Sequence, residues 1–257
     1  MTSDYVVISF SGGKDSTAML LRMIDLNEKI DEVLTVDTGY EFPAMYLHIQ
    51  SVRKIVEEHG IKFTQLRADK TLDYYLIEHP YESKKYGPMK GYGWPGPHIR
   101  WCTKFLKTNV MKEYLSDLAS QYNLIQCVGL AADEVTRANR VSNKGQRHPL
   151  IEWGWTEADC LQYCYNRGFS WGGLYKTFKR VSCWCCPLQP LSELKKLYRF
   201  YPDLWSRLLD LDSKVSCTRP FKYTYSVSDL GKRFAREIRA ADSQTNIDTW
   251  CFMGAAE

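Results

Sequence analysis

The stretch that decides the fold is Ser11-Gly12-Gly13-Lys14-Asp15-Ser16. Residues 5–10 before it are β-branched and aromatic, which is typical of a buried strand, and residues 17–24 after it carry apolar side chains at helical spacing. A strand, a glycine-containing turn and a helix start can capture phosphate, because glycines allow a tight turn and the helix N-terminus adds partial positive charge. We therefore predict a phosphate-binding loop. The alternative for the two glycines alone is a plain strand-to-helix turn, and the spacing is not that of a Walker A loop.

Composition places the chain among globular proteins. Its 257 residues are 44% hydrophobic and 25% charged, with a net charge of +4, which suits one large domain with or without a smaller C-terminal extension. No apolar run approaches a membrane span, and no secretion signal stands at the N-terminus. We therefore expect a cytoplasmic protein with no membrane partner. Its nine cysteines favour metal binding or catalysis over disulfides, and the mild positive charge permits a nucleic-acid partner.

Strand and helix patterns alternate through the first half of the chain. Strands are predicted at 5–10, 32–37, 61–66 and 124–129, and helices after residue 16 and at 43–59, 104–122, 157–166, 191–201, 204–211 and 228–241. The alternation predicts an α/β fold: a doubly wound, mainly parallel sheet in residues 1–190, with a helical C-terminal extension, 191–257, packed on it. Ligands bind beyond the carboxyl ends of such strands, where the loop at Ser11 and the turn Asp37-Thr38-Gly39 would both lie. Long loops are predicted at 80–97 and, with many basic residues, at 132–148.

Several stretches together resemble one known family. The loop is similar to the pyrophosphate-binding loop of the PP-loop (N-type) ATP pyrophosphatases, which split ATP between the α and β phosphates. Within that superfamily, the chain resembles the phosphoadenosine-phosphosulfate (PAPS) reductase family. Five segments carry this resemblance and occur in the family's order: 37–43, 100–107, 129–137, 149–159 and 183–187. The resemblance covers residues 5 to about 190 and implies the adenine nucleotide alpha-hydrolase-like fold.

The chain also departs from the family's pattern. Ala131 and Val135 stand where the family has Arg and Ser, and Ser182 replaces the Gly before the cysteine pair. The stretch 249–254 lacks the Glu-Cys-Gly-Leu-His signature that carries the nucleophile of true PAPS reductases. The intact loop fits the triphosphate of ATP better than a sulfonucleotide. In character the chain is therefore most similar to the ATP-using, cysteine-bearing members, such as the DNA-phosphorothioation protein of the Dnd system and the tRNA-thiolating PP-loop enzymes.

A second centre is predicted at the cysteines. Cys183-x-x-Cys186 has the spacing that places two thiolates on one metal or cluster, and thiolate sulfur suits zinc and iron–sulfur alike. In the resembled fold Cys102 approaches this pair, and the resemblance favours a [4Fe–4S] cluster over zinc. A cluster with three cysteine ligands would leave its fourth iron free to hold a sulfide for transfer. Reduced core thiols are the alternative interpretation of the pair.

The other cysteines are interpreted from their surroundings. Core thiols in apolar patterns are the preferred interpretation for Cys127, Cys160 and Cys164. Three roles stay open, fourth ligand, sulfur carrier or neither, for Cys185, Cys217 and Cys251. Positive charges that would favour thiolates flank the predicted ligands at Lys104, Lys107, Lys179 and Arg180.

The resemblance also assigns the nucleotide site. The residues that it implies in nucleotide binding are Ser9, Ser11, Gly12, Gly13, Lys14, Asp15, Ser16, Asp37, Thr38, Gly39 and Gly129. Asp15 and Asp37 would hold Mg²⁺ or the nucleotide, because the departing pyrophosphate needs a cation. The alternatives are a helix cap for Asp15 and a turn for Asp37. Catalytic roles are predicted for Lys14, Asp15 and Arg137; Arg137 and Arg140 would clamp phosphate or be solvated loop charges.

The sequence is compatible with three functions. In the first, the enzyme binds ATP–Mg²⁺, adenylates a substrate oxygen with release of pyrophosphate, and lets sulfur displace AMP. The second is a PAPS- or APS-type sulfonucleotide reductase, and the third is a nucleotide-binding regulatory component with a structural cluster. Basic and aromatic residues interleave in the last third of the chain, which suits a nucleic-acid acceptor, with solvated helix faces as the alternative. A sulfur-donor protein and a second copy in a homodimer are the other expected partners.

Overall fold

Parallel strands form the main sheet. The structure is a computed structural model that describes residues 3–84, 87–134, 145–216 and 219–253. The described strands are β1 (Asp4–Ser9), β2 (Glu32–Asp37), β3 (Lys62–Arg67), β4 (Pro80–Ser83), β5 (Gly87–Lys90), β6 (Asn123–Val128) and β7 (Gln146–Arg147). Five of them form a sheet in the order β3-β2-β1-β6-β7, in which every pair is parallel. Ser9 pairs with Leu34 on one side and Val128 on the other, so the strands end at one edge of the sheet.

The described helices alternate with these strands and then dominate the C-terminal part. They are α1 (Lys14–Asp25), α2 (Pro43–Glu58), α3 (Asn109–Gln121), α4 (Pro149–Glu152), α5 (Glu157–Asn166), α6 (Leu174–Thr177), α7 (Leu191–Phe200), α8 (Pro202–Lys214) and α9 (Val227–Met253). A single α-helical turn at Trp101–Thr103 leads into the π-helical turn Lys104–Thr108; a second π-helical turn occurs at Tyr74–Glu78 and a 3₁₀ turn at Trp171–Gly173. Among the helices that the structure describes, none combines the length and apolar character that a membrane crossing needs.

The core lies between the sheet and the helices that pack on it. Val7, Ile8 and Leu34 on the strands are fully buried, as are Leu20 and Met23 on α1. Burying a side chain of this size contributes about 1.5–3 kcal/mol each. These apolar side chains bury the middle of α1, which follows β1 directly through residues 10–13.

The α/β fold with a mainly parallel sheet and a helical C-terminal part is confirmed. The loop expected at 80–97 is partly wrong, because β4 and β5 pair there as an antiparallel hairpin. The basic loop expected at 132–148 ends in β7, a two-residue fifth strand beside β6. Most of that loop, residues 135–144, lies outside the described residues.

The chain divides into two compact units, with boundaries after Leu72, Arg100 and Trp184. The first contains the parallel sheet, and the second contains the hairpin and the C-terminal helices. Trp94 anchors the second unit: its ring meets Phe221 edge-to-face at 4.9 Å, and its Nε1 donates to Asp212 Oδ1 at 2.7 Å. These boundaries differ from the predicted division at residue 190, which stays a prediction.

Candidate functional site

The loop after β1 has the backbone of a phosphate cradle. Gly12 has a φ of +77°, which favours glycine, and a Cβ built there would lie 2.8 Å from Met45 Sδ. Gly13 is the N-cap of α1 and has no side chain of its own to cap the helix; the first amide of the helix, Lys14 N, donates to the hydroxyl oxygen of Tyr175 at 3.0 Å. The N-terminal end of α1, with its partial positive charge, therefore lies at the edge of the sheet.

The loop's two serines bond within the loop. Ser16 Oγ accepts from Ser11 N at 3.2 Å and donates to Gly13 O at 3.1 Å, and the two hydroxyl oxygens lie 3.1 Å apart. Ser9, also predicted to bind nucleotide, accepts instead from Gln126 Nε2 at 2.8 Å. The serine hydroxyls thus hold the shape of the turn from inside.

Lys14 is buried and paired with two carboxylates. Its Nζ lies 2.8 Å from Asp15 Oδ1 and 2.6 Å from Glu157 Oε2. Burial lowers the pKa of Lys14, but the hydrogen bonds to the two carboxylates more than offset it, so the pKa is raised and the ammonium stays charged. For Asp15, burial raises the pKa, and the bond to Lys14 only partly opposes this. The carboxylate of Asp15 thus pairs with the Lys14 side chain. This differs from the helix cap that was the alternative interpretation of Asp15.

Gly129 lies against the start of α1. A Cβ built on Gly129 would lie 2.8 Å from Ser16 Cα and 2.9 Å from Ser16 N. Only a residue without a side chain fits between the end of β6 and the loop's last residue, because the neighbouring atoms are backbone and cannot rotate away. The fold thus brings Gly129 to the loop, as expected of neighbouring parallel strands.

The turn after β2 lies beside the loop, in one cavity with it. Asp37 accepts from Gly39 N at 2.7 Å and from Tyr46 OH at 3.1 Å, so its carboxylate shapes the turn, as its alternative interpretation expected. Gly39 has a φ of +81°. Polar side chains line the cavity, which measures about 80 Å³, including those of Ser11, Asp37, Glu41, Tyr46, Gln50 and Gln65. The two predicted nucleotide segments, 11–16 and 37–39, are therefore brought together.

Two of the predicted metal-binding thiols lie near one lysine. Glu41 Oε1 accepts from Lys107 Nζ at 3.3 Å and from Cys183 Sγ at 3.5 Å, and Thr38 Oγ1 lies 3.8 Å from that sulfur. Burial lowers the pKa of Lys107, but negative charge on Cys183, Glu41 and Cys102 more than reverses this effect, so the pKa is raised. Because Glu41 also lines the cavity, this carboxylate links the thiols to the predicted nucleotide site.

The third predicted ligand, Cys186, belongs to the second compact unit. There it is half-buried, and its negative charge acts on Lys222; burial lowers the pKa of that lysine, and Cys186 opposes the shift only partly. The soft thiolates at 102, 183 and 186 suit zinc or iron–sulfur in kind. Within the described ranges, however, no three His, Cys, Asp or Glu side chains are gathered closely enough to share a metal ion. The structure thus supplies suitable donors and a charge partner, and leaves the complete ligand set a proposal.

The remaining predicted cysteines and arginines are placed as follows. Fully buried positions are occupied by Cys127, Cys160 and Cys164, and burial raises the pKa of Cys127 to about 11 and of Cys164 to about 12. Cys185 is also buried. Three of the predicted residues lie outside the described part of the chain: Arg137, Arg140 and Cys217. For Cys251 only the helical backbone is described. Thiols with raised pKa values are poor nucleophiles, which fits core positions.

Sequence reasoning did not single out Glu157. It is the first residue of α5, and its N–H donates to Asp133 Oδ1 at 3.1 Å. Thr156 and Asp159 form the capping box that fixes this helix start. The capping pattern predicts where the helix begins, but nothing local points to a partner 143 positions away.

Comparison with known proteins identifies relatives. The sequence pattern of the family described as "Phosphoadenosine phosphosulfate reductase domain" matches residues 5–189, which confirms the resemblance. Two uncharacterized proteins of Methanocaldococcus jannaschii are 26% and 27% identical over 79% of this chain. The chain spans only 40% and 46% of the lengths of these relatives. One similar solved structure is the U34-tRNA thiolase NcsA from Methanococcus maripaludis with its [4Fe-4S] cluster. Its sequence is 14% identical to this chain and the TM-score is 0.44; the match covers 93% of this chain and 74% of the thiolase chain.

Proposed function

The chain belongs to the family of phosphoadenosine phosphosulfate reductase domains, and on that premise we propose that it binds ATP–Mg²⁺ at residues 11–16 and releases pyrophosphate. The observation that carries this proposal is the start of α1 at Gly13, where the positive end of the helix lies beside the buried Lys14 ammonium. Backbone donors and a full charge at a helix N-terminus favour a multiply charged phosphate.

Lys14 would stabilise the charge of the departing pyrophosphate. Its ammonium is held by Asp15 and Glu157, and it would turn from these carboxylates to a phosphate oxygen. Asp15 and Asp37 would hold the Mg²⁺ that accompanies ATP, which supplies further positive charge. Arg137 would add a bidentate clamp on phosphate, a role that stays a prediction.

Release of pyrophosphate would leave an adenylated substrate. A substrate oxygen attacks the α-phosphorus, the bond to the β-phosphate oxygen breaks, and the oxygen gains AMP as a good leaving group. A sulfur nucleophile then displaces AMP from the adenylated atom, so the product is thiolated. The arrangement that supports this second half is Glu41, which lies at once in the cavity and beside Cys183.

The thiols would hold a metal centre. Cys102, Cys183 and Cys186 are the residues that would bind a [4Fe–4S] cluster, with zinc as the alternative, and the positive charge of Lys107 near Cys102 and Cys183 would offset the negative charge of such a centre. When bound, an iron–sulfur cluster would supply a site for sulfide. The proposed partners are an adenine nucleotide, a sulfur-donor protein and a nucleic-acid acceptor, and a homodimer is the proposed assembly.

Two other functions are kept as candidates. The family description favours a sulfonucleotide reductase, in which a thiol attacks the sulfur of an adenylyl sulfate and sulfite is released. A regulatory component would bind nucleotide without turnover, and its metal centre would be structural.

The decisive experiment follows both possible products of the full chain. ATP–Mg²⁺ with candidate acceptors should yield AMP and pyrophosphate, whereas PAPS or APS with thiol reductant should yield no sulfite. Lys14→Ala should abolish pyrophosphate release, and Lys54→Ala is the matched control because Lys54 is an exposed lysine on α2 with a side chain 79% exposed. Sulfite release would establish the reductase, and nucleotide binding without either product would establish the regulatory role.

A further inference from the structure

The first amide of α1 is occupied by a side chain from a distant part of the chain. Lys14 N donates to the hydroxyl oxygen of Tyr175 at 3.0 Å, across 161 positions of sequence. A Cβ built on Gly13 would lie 3.4 Å from the same oxygen. The phenol thus lies directly over the backbone of the loop, at the helix end that attracts anions.

Tyr175 is held there by its neighbour Trp171. The indole Nε1 of Trp171 donates to Gly12 O at 2.8 Å, and the rings of Trp171 and Tyr175 meet edge-to-face at 4.9 Å. Trp171 is only 2% exposed, and its other neighbour is the ring of His48 at 4.5 Å. Two hydrogen bonds to the loop backbone and a buried anchor therefore fix the position of the hydroxyl.

The Tyr175 hydroxyl can donate one hydrogen bond. A phenol accepts and donates, and Tyr175 accepts from Lys14 N. Among the residues that the structure describes, none accepts the Tyr175 proton. Burial raises the pKa of Tyr175 to about 12, so the phenol keeps this proton at neutral pH. Accepting from a helix N-terminal amide also polarises the O–H bond and makes it a stronger donor.

We infer that Tyr175 is a phosphate-binding residue whose hydroxyl donates to the pyrophosphate portion of the nucleotide at residues 11–16. This inference rests on the proposed function, because it needs a phosphate in the loop. The Lys14 amide then acts through the phenol, which extends the positive end of α1 outward by one hydrogen bond. The ligand class is an oxyanion of phosphate, as free pyrophosphate or as part of ATP.

The test compares Tyr175→Phe with Tyr163→Phe in the full chain. Tyr163 donates to Asp25, the last residue of α1, so both variants lose one phenol hydrogen bond to the same helix at opposite ends. Binding of inorganic pyrophosphate and of ATP–Mg²⁺ is measured by calorimetry. A lost hydrogen bond to a charged group predicts about tenfold weaker binding for Tyr175→Phe, with Tyr163→Phe equal to wild type.

Each outcome has a separate meaning. Equal or tighter binding by Tyr175→Phe, with ligand bound by the wild type, overturns the inference and leaves the proposed function intact. A wild type that binds neither probe overturns the proposed function and the inference with it. Thermal melting reports whether both variants fold. If Tyr175→Phe does not fold, 3-fluorotyrosine at position 175 replaces it: its fluorine resonance should shift on adding pyrophosphate, and an unchanged resonance overturns the inference.

Discussion

The Nζ atom of Lys14 lies 2.6 Å from Oε2 of Glu157, a carboxylate 143 positions further along the chain. Asp15 lies on the other side of the same ammonium group, so Lys14 is paired with two carboxylates. A phosphate must therefore compete with carboxylates for this ammonium. The competition makes Glu157 a determinant of how tightly the loop holds an anion.

Glu157→Gln should tighten the binding of inorganic pyrophosphate. The amide keeps the size of the side chain and removes the charge that holds Lys14 and repels phosphate. Because Glu157 is half-exposed, with its side chain 46% exposed, solvent screens its effect, and we expect a gain of about 0.5–1 kcal/mol in binding free energy. Calorimetry in the absence of Mg²⁺ measures it. Glu58→Gln removes an exposed carboxylate on α2 and should leave affinity unchanged; weaker binding in Glu157→Gln would mean that Glu157 positions the lysine.

Gly129→Ala should disrupt the loop from the neighbouring strand. The new methyl group would meet the Ser16 backbone at 2.8–2.9 Å, and backbone cannot move aside as a side chain can. Overpacking of this kind costs about 1–3 kcal/mol of unfolding free energy, and the displaced start of α1 should lose nucleotide affinity. Chemical denaturation and ATP binding check both effects. Gly96→Ala is the control, since its nearest neighbour is Arg219 Nη1 at 3.6 Å; a Gly129→Ala protein with normal stability and affinity would contradict the steric argument.

The sequence predicted those parts of the site that depend on local pattern and on topology. The strand, the loop and α1 follow from residues 5–24, where glycine spacing and apolar periodicity agree. The meeting of Ser11 with Asp37 follows from parallel strands, whose carboxyl ends lie at one edge.

Partners that come from distant segments could not be predicted. Three residues from distant segments reach the loop, namely Glu157 on α5, Trp171 on the 3₁₀ turn and Tyr175 on α6, and no local periodicity encodes such contacts. The pairing of β4 with β5 was missed because proline and glycine suggest a loop, although proline is tolerated at a sheet edge. β7 has only two residues, too few to show the alternation of apolar and polar side chains by which a strand is recognised in a sequence.

His48 should make the protein less stable in mild acid. Its ring is buried, 5% exposed, between Phe169 and Trp171, and burial lowers its pKa to about 4. Since the pKa of histidine in the unfolded chain is about 6.5, the folded state binds fewer protons than the unfolded state below that pH. The contribution of neutral His48 to the free energy of unfolding is therefore complete above pH 6.5 and is lost as the pH falls towards 4. The loss at pH 4 amounts to about 3 kcal/mol.

Urea denaturation of His48→Gln over this pH range measures the contribution. The variant should show a shallower fall of the unfolding free energy between pH 6.5 and 4, because Gln binds no proton. His59→Gln removes an exposed imidazole at the end of α2 and should follow the wild-type curve. Parallel curves for wild type and His48→Gln would show that His48 titrates normally in the folded protein.

Substitution of Cys102 or Cys183 should remove the bound metal. Both thiols lie within reach of the positive charge on Lys107, which would stabilise an anionic centre held by them, so Cys102→Ser and Cys183→Ser should each lower the iron content of anaerobically purified protein several-fold and bleach its visible absorption. Cys127→Ala is the matched control, because Cys127 is fully buried and burial raises its pKa to about 11; it should keep its iron. Lys107→Met should weaken retention of the metal without removing a ligand. A colourless wild type with stoichiometric zinc would contradict the iron–sulfur proposal, and metal lost equally from all three cysteine variants would point to unfolding rather than ligand loss.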